Sequence, residues 1–203
     1  MSKSEIKEME KKEDFRRVYK VFMEKPYEEM YTEEEMDEIY EEYKAAGKVF
    51  GAYVDDRCVG LIAILRGKRE SQPVEFDTDN IAYLADIAVL KEYRAAGLGS
   101  KLMIAGLFKA KEEGFDKMYM RTLVKGESMS YGIACKVGFE EIDGVYQMVE
   151  TENVRGERQV KKNIFLDIDL KNLDKNKLKN VLIENRFTGP SVKKEQEQDE
   201  QSL

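Results

Sequence analysis

Histidine and tryptophan are absent from the 203 residues. Without histidine there is no Ser-His-Asp or Cys-His pair, no histidine general base and no histidine-ligated metal. Two cysteines, Cys58 and Cys135, are too few for a disulfide framework, and their spacing fits no zinc site. No apolar run approaches the roughly 18 residues that a membrane span needs. The chain opens Met1-Ser-Lys-Ser-Glu-Ile-Lys-Glu8, charged where a signal peptide would carry its apolar region. A basic stripe is missing too: the net charge is −7, and a nucleic-acid binder needs cations aimed at phosphate. The expectation is a cytoplasmic protein that binds no nucleic acid, enters no membrane and uses no metal.

What is present suffices for a core. At 42% hydrophobic and ordinary single-domain length, the chain carries its apolar residues in short, periodic runs. Strands are predicted at residues 4–9, 48–54, 58–65, 81–90, 117–124, 139–149 and 163–170, and helices at 12–24, 32–47, 97–113 and 127–137. Thr32 with Glu35 forms a capping box that opens the second helix, and Asp55-Asp56-Arg57 joins two strands as a tight hairpin. The result is an α/β (α+β) domain over residues 1–170, a mixed sheet of seven strands flanked by four helices. Residues 171–190 are a C-terminal extension with a helix expected at 174–185, and residues 191–203 are a polar tail expected to be disordered.

The chemistry-bearing stretch is Ile87-Ala-Val-Leu-Lys-Glu-Tyr-Arg-Ala-Ala-Gly-Leu-Gly-Ser-Lys-Leu102. A strand ends, and Arg94-x-x-Gly97-x-Gly99 leads directly into an amphipathic helix. Backbone N–H groups and the positive end of the helix dipole make such a turn a cradle for a phosphate or pyrophosphate. The glycines alone would also serve merely to turn the chain. A dinucleotide fold would put a third glycine where Leu102 stands, and three strands already precede the turn. A P-loop would read Gly-Lys-Ser, whereas the order here is Gly99-Ser100-Lys101.

The third reading is acyl-CoA. Arg94-Ala-Ala-Gly-Leu-Gly99 behind Ile87-Ala-Val89 resembles the signature of the GNAT superfamily of acyl-CoA-dependent N-acyltransferases. Downstream, Ile133-Ala-Cys-Lys-Val-Gly138-Phe139-Glu140 resembles the family's helix that ends in a Gly-Phe pair. Element order agrees from about residue 4 to 170. The resemblance implies direct attack of a primary amine, on a small molecule or a peptide, on the acetyl-CoA thioester. It puts the pantetheine and the polarised carbonyl on the backbone of Ile87, Ala88 and Val89. It puts the pyrophosphate on Arg94, Ala95, Ala96, Gly97, Leu98, Gly99 and Ser100, and brings Ser128 and Tyr131 to the cofactor. A homodimer is compatible with it.

The catalytic groups depart from the family pattern. The usual tyrosine position, four residues before Gly138, is Ala134. Tyr131 lies about one helical turn away; it either donates to the departing thiolate or packs on the pantetheine. Cys135 reads as a small buried hydrophobe. The position of a frequent asparagine is Glu127, with Ser128 the nearer substitute, and either residue also serves as a helix cap. Two positions that hold a glutamate in some relatives are Thr122 and Tyr83. Asp86 is the one carboxylate inside its strand, where aspartate is depleted; it either binds the amine and relays its proton or pairs with a nearby Arg or Lys. These departures support an alternative, a degenerate relative that binds acyl-CoA or a partner without turnover. From Glu28 to Glu42 there are nine acids and no base, interleaved with Tyr27, Tyr31, Tyr40 and Tyr43 around it. The run is either an acidic mouth for a cationic amine or a solvated helix face.

Overall fold

The computed structural model describes residues 4–94, 97–153 and 155–184. The expected tail at 191–203 lies outside them, as do Ala95 and Ala96. In chain order the elements are β1 (Ser4–Glu8), α1 (Lys12–Tyr19), α2 (Glu33–Ala46), β2 (Gly47–Val54), β3 (Arg57–Arg66) and β4 (Ile81–Val89). They continue with α3 (Leu98–Glu112), β5 (Lys117–Leu123), α4 (Met129–Val137), β6 (Glu140–Glu152), β7 (Arg158–Asp169) and α5 (Lys175–Glu184). A 3-10 turn, Lys20–Met23, continues α1.

β3 is apolar at almost every position and buried on both faces, so it lies inside the sheet, whose order is β1-β2-β3-β4-β5-β7-β6. Phe15, Val18 and Met36 from α1 and α2 pack on one face with Leu61 and Ala63. Leu102, Ile104 and Leu107 of α3, with Ala134 and Val137 of α4, pack on the other against Ile62 and Ile64. The β2–β3 turn is two residues, Asp55 (φ 48) and Asp56 (φ 64). Both are left-handed, the geometry whose twist matches a hairpin, so Arg57 enters β3 rather than the turn. The capping box forms as expected: Thr32 accepts from the Glu35 N–H and Glu35 from the Thr32 N–H.

Two differences from expectation shape the molecule. β6 and β7 are longer than the predicted strands, and β7 inserts between β5 and β6. Their added residues, 150–152 and 158–162, are mostly polar, so hydrophobicity alone hides pairs such as Glu150 with Val160. The extension helix α5 forms where a helix was expected, but it buries Leu178 and Val181 in the α3–α4 core rather than standing apart, so the described residues hold five α-helices. No described helix is long and apolar enough to cross a membrane.

Candidate active site

β4 and β5 pair in parallel only where Ile81–Leu84 face Lys117–Met120. On the β3 side, Ala63 pairs with Asp86 but Ile64 pairs with Leu84, so Ala85 is the extra residue of a β-bulge. A bulge bends its strand and re-aims the side chains beside it. β4 therefore leaves β5, and the edge of Ile87, Ala88 and Val89 that faces β5 has no strand partner among the described residues.

Two cavities open along that seam. The larger, about 250 Å³, follows the free β4 edge from Ile87 to Arg94, Gly97, Gly99 and Ser100, with Ser128 and Ile133 of α4 opposite. Gly97 is left-handed (φ 79) and caps α3 without a side-chain bond. The first-turn N–H groups of α3 thus carry no capping side chain, which is what an anion site needs. A Cβ on Gly99 would stand 2.8 Å from the Ile133 side chain, so glycine keeps this end of the groove open. Arg94 donates through Nε to the Val89 carbonyl (3.0 Å) and through Nη2 to Glu24 (3.3 Å), tying the turn to the strand end. The side chain of Leu98 is in the core, 1% exposed, so only its backbone is available to a ligand.

The smaller cavity, about 100 Å³, lies on the other side of Ile87 and includes Asp86, Glu29, Thr122, Thr151, Lys161 and Asn163. Tyr27, Ile87 and Ser130 line both cavities, so these three residues form the junction between the two.

Asp86 meets this cavity beside the junction. Tyr43 donates to its carboxylate at 2.5 Å, and no described Arg or Lys forms a salt bridge with it. Its side chain opens onto the cleft and is otherwise enclosed by protein. Burial pushes its pKa up to about 6; the hydrogen bonds from Tyr43 and Tyr19 oppose the rise, and the Glu29 charge adds to it. At neutral pH it is a carboxylate poised to take a proton.

Residues 15–130 match the profile of the Acetyltransferase (GNAT) family. The chain belongs to the GNAT family. Streptothricin acetyltransferase A of Bacillus subtilis (strain 168) is 34% identical over 100 residues, which cover 48% of this chain and 50% of that protein. The chain thus matches about half the length of that curated relative. Among solved structures, an N-acetyltransferase from Staphylococcus aureus Mu50 superposes with a TM-score of 0.62 at 17% identity, covering 83% of this chain and 99% of that one. A ribosomal-protein-alanine N-acetyltransferase from Brucella melitensis gives 0.60 at 15%, over 81% and 99% of the two chains. The structure of yncA from Salmonella typhimurium with its cofactor acetyl-CoA gives 0.58 at 14%, over 82% and 94%. At these identities the likeness is one of fold.

Within this GNAT domain, α4 decides which hydroxyl meets the junction. Ala134 is fully buried. A helix turns about 100° per residue, so the residues four and three before Ala134 lie about 40° to one side of it and 60° to the other. The structure turns Ser130 into the seam. Tyr131 turns away: its hydroxyl is 3.4 Å from Glu141, and it lines neither cavity. The sequence reading of Tyr131 at the thioester or on the pantetheine is therefore not what the geometry brings together. Thr122 is buried on β5 with its hydroxyl 2.7 Å from that of Ser130. Ser128 caps α4 by accepting the Ser130 N–H, so the helix starts two residues later than expected, and Glu127 is exposed outside it.

The acidic run divides in two. Asp37 holds Arg16 at 2.6 and 2.5 Å. Glu41 pairs with Lys12 (2.6 Å) and Glu42 with Arg69 (3.2 Å). These charges serve the outer face of α2. Glu29 alone of the run lines the smaller cavity, where it accepts from Tyr31. Of the four tyrosines, Tyr40 is core, donating to the Met9 carbonyl, while Tyr27 borders the cleft and Tyr43 grips Asp86. Sequence reasoning did not single out Ser130, Thr151, Lys161 or Asn163. The pair Ser128-x-Ser130 at a helix start was a usable signal; the three hairpin residues lie on strands whose alternation carried none.

Proposed function

We propose that the protein transfers an acetyl group from acetyl-CoA to a primary amine, by direct attack with both substrates bound. The residues present fit the cofactor. The side-chain-free cap at Gly97 and the gap at Gly99 suit a pyrophosphate, Arg94 adds a cation beside it, and the free edge of β4 suits main-chain pairing with the pantetheine amides. Bound there, acetyl-CoA would supply an activated carbonyl carbon.

The observation that carries the reading is Asp86, a carboxylate raised to about 6, lining the cavity that meets the cofactor groove at Ile87. With Glu29 it gives an incoming ammonium two anionic partners, and Asp86 takes the proton that must leave before nitrogen can attack. The backbone N–H groups of the free β4 edge, about Ile87–Val89, polarise the carbonyl. The cavity that Asp86 lines also holds the cations Arg121 and Lys161, and Lys161 Nζ donates to the Tyr27 carbonyl, which ties β7 to the cleft-side segment.

Isothermal titration with acetyl-CoA, followed by thiol release over a panel of streptothricin, polyamines, amino acids, aminoglycosides and peptides, tests the reading. Micromolar binding with acceptor-dependent thiol release is expected. Binding without release from any amine would favour the alternative of a non-catalytic acyl-CoA binder, for which the buried Ala134 speaks. No binding would remove both.

A further inference from the structure

Four hydroxyls form one chain across the junction. Tyr27 is 3.0 Å from Ser128, Ser128 is 2.5 Å from Ser130, and Ser130 is 2.7 Å from Thr122. Each hydroxyl has one proton to give and two lone pairs to accept with. Ser128 already accepts the Ser130 N–H at 3.1 Å. With Tyr27 donating to it as well, its acceptor sites are full and its own proton goes to Ser130. Either Thr122 or Ser130 can donate across their 2.7 Å contact; when Thr122 donates, Ser130 receives protons from two neighbours. Both acceptor sites of Ser130 are then taken, and its proton has no acceptor among the four hydroxyls. Ser130 lines the acceptor cavity and the cofactor groove alike, so that proton is directed at the place where the two meet.

We propose that Ser130 protonates the departing thiolate and that Ser128 and Tyr27 resupply it. The inference rests on the acetyl-CoA reading above. The ammonium first loses one proton to Asp86. Nitrogen then bonds to the acetyl carbon, and the C–S bond breaks with its electron pair on sulfur. Ser130 gives its proton to sulfur and takes one from Ser128, which takes one from Tyr27. Tyr27 also borders the acceptor cavity and takes the second proton from nitrogen. One proton has passed from nitrogen to sulfur, every hydroxyl is again neutral, and rotation of the hydroxyls resets the chain. Thr122 is a positioning residue that holds Ser130 in register.

The test compares wild type with Ser130→Ala, Ser130→Thr and Tyr27→Phe. Ser130→Ala is expected to lower kcat by about a hundredfold or more while acetyl-CoA affinity stays within about twofold, and Ser130→Thr, which keeps the hydroxyl, to restore most of kcat. With S-acetyl para-nitrothiophenol as donor, whose thiolate leaves without a proton, wild type and Ser130→Ala should run at similar rates. A readout without turnover is the pKa of the CoA thiol bound to the protein, followed by thiolate ultraviolet absorbance. It should rise by about one unit in Ser130→Ala, since a hydrogen bond to the charged form is lost. A purely structural Ser130 would cost both donors equally and leave the thiol pKa unmoved, and that result overturns the inference. Should Ser130→Ala not fold, Tyr27→Phe decides, since it keeps the ring and removes the relay proton; full kcat there overturns the relay. A wild type that binds no acetyl-CoA, or releases no thiol with any amine, instead refutes the functional reading beneath it.

Discussion

At the residue scale the site turns on Asp86, a carboxylate lodged in a β-strand that sequence preference disfavours. The bulge at Ala85 aims it into the cleft, and the tyrosines of α1 and α2 enclose it, so burial outweighs the hydrogen bonds that would keep it acidic. If it takes the amine proton, the rate must rise as pH climbs through about 6, because only the ionised form accepts. Asp86→Asn is therefore expected to lower kcat/KM by about a hundredfold and to remove that limb from the pH profile. A profile unchanged in shape would assign the proton to water instead. Tyr131→Phe is the companion case. Its hydroxyl turns toward Glu141, so the change should alter kcat by less than about twofold; a large loss would mean that α4 rotates when substrates bind.

At the element scale, both signature motifs are helix ends doing backbone work. α3 and α4 close with the same pair of bonds. Phe115 N–H reaches the Ala110 carbonyl and Gly114 N–H that of Lys111, while Phe139 N–H reaches Ala134 and Gly138 N–H reaches Cys135. This is a Schellman closure, which needs a left-handed residue: Gly114 has φ 85 and Gly138 φ 112. The Gly-Phe pair is thus explained locally, glycine by the turn and Phe139 by its place in the core, 3% exposed. A Cβ on Gly138 would meet only ordinary contacts, Ile168 at 3.4 Å and Lys177 at 3.7 Å. Gly138→Ala should then cost the backbone strain alone, about 1–2 kcal/mol, read in denaturant unfolding. Gly99→Val should behave oppositely. Its nearest obstacle is the mobile end of Ile133, so the fold survives, but the groove narrows and acetyl-CoA affinity should fall at least about tenfold. Such motifs were legible because one residue type satisfies one backbone need. The elements behind them were legible from period and caps, as Thr32 with Glu35 shows. The facing of α4 was not, since a buried Ala134 is equally compatible with Ser130 or Tyr131 beside the cleft. Nor was the β6–β7 wall, whose Thr151, Lys161 and Asn163 reach the cavity only through the inserted position of β7. Pairing between distant strands leaves no period in the sequence.

At the scale of the whole molecule, the charges sort into two groups with opposite pH behaviour. Asp37, Glu8 and Asp169 are held below their ordinary range, mainly by hydrogen bonds from Arg16, Lys44 and Asn172 respectively. All three lie on the solvated surface, where ion pairs contribute little and are screened by salt; their stabilisation is lost as pH falls through the acid range. Asp86 works the other way. Its folded pKa, about 6, is above its unfolded value near 4, so between those limits the folded chain binds more protons than the unfolded one. Stability from this group is complete below about pH 4 and declines as pH rises to about 6, by up to about 3 kcal/mol, and is flat above. Asp86→Asn removes the titration while its amide oxygen still accepts from Tyr43. The stability difference between variant and wild type, from urea unfolding at pH 4 to 8, should therefore grow in favour of the variant across pH 4 to 6 and then level off. The surface carboxylates cancel in that difference, because both proteins carry them. A difference that does not change with pH would mean that Asp86 is solvated in the folded state, and the low-pH limb expected in the rate would then have to be assigned to another group. Growth of the difference together with loss of activity would show the strain of an ionised carboxylate held in the fold for its chemistry, the exchange of stability for function that active sites make.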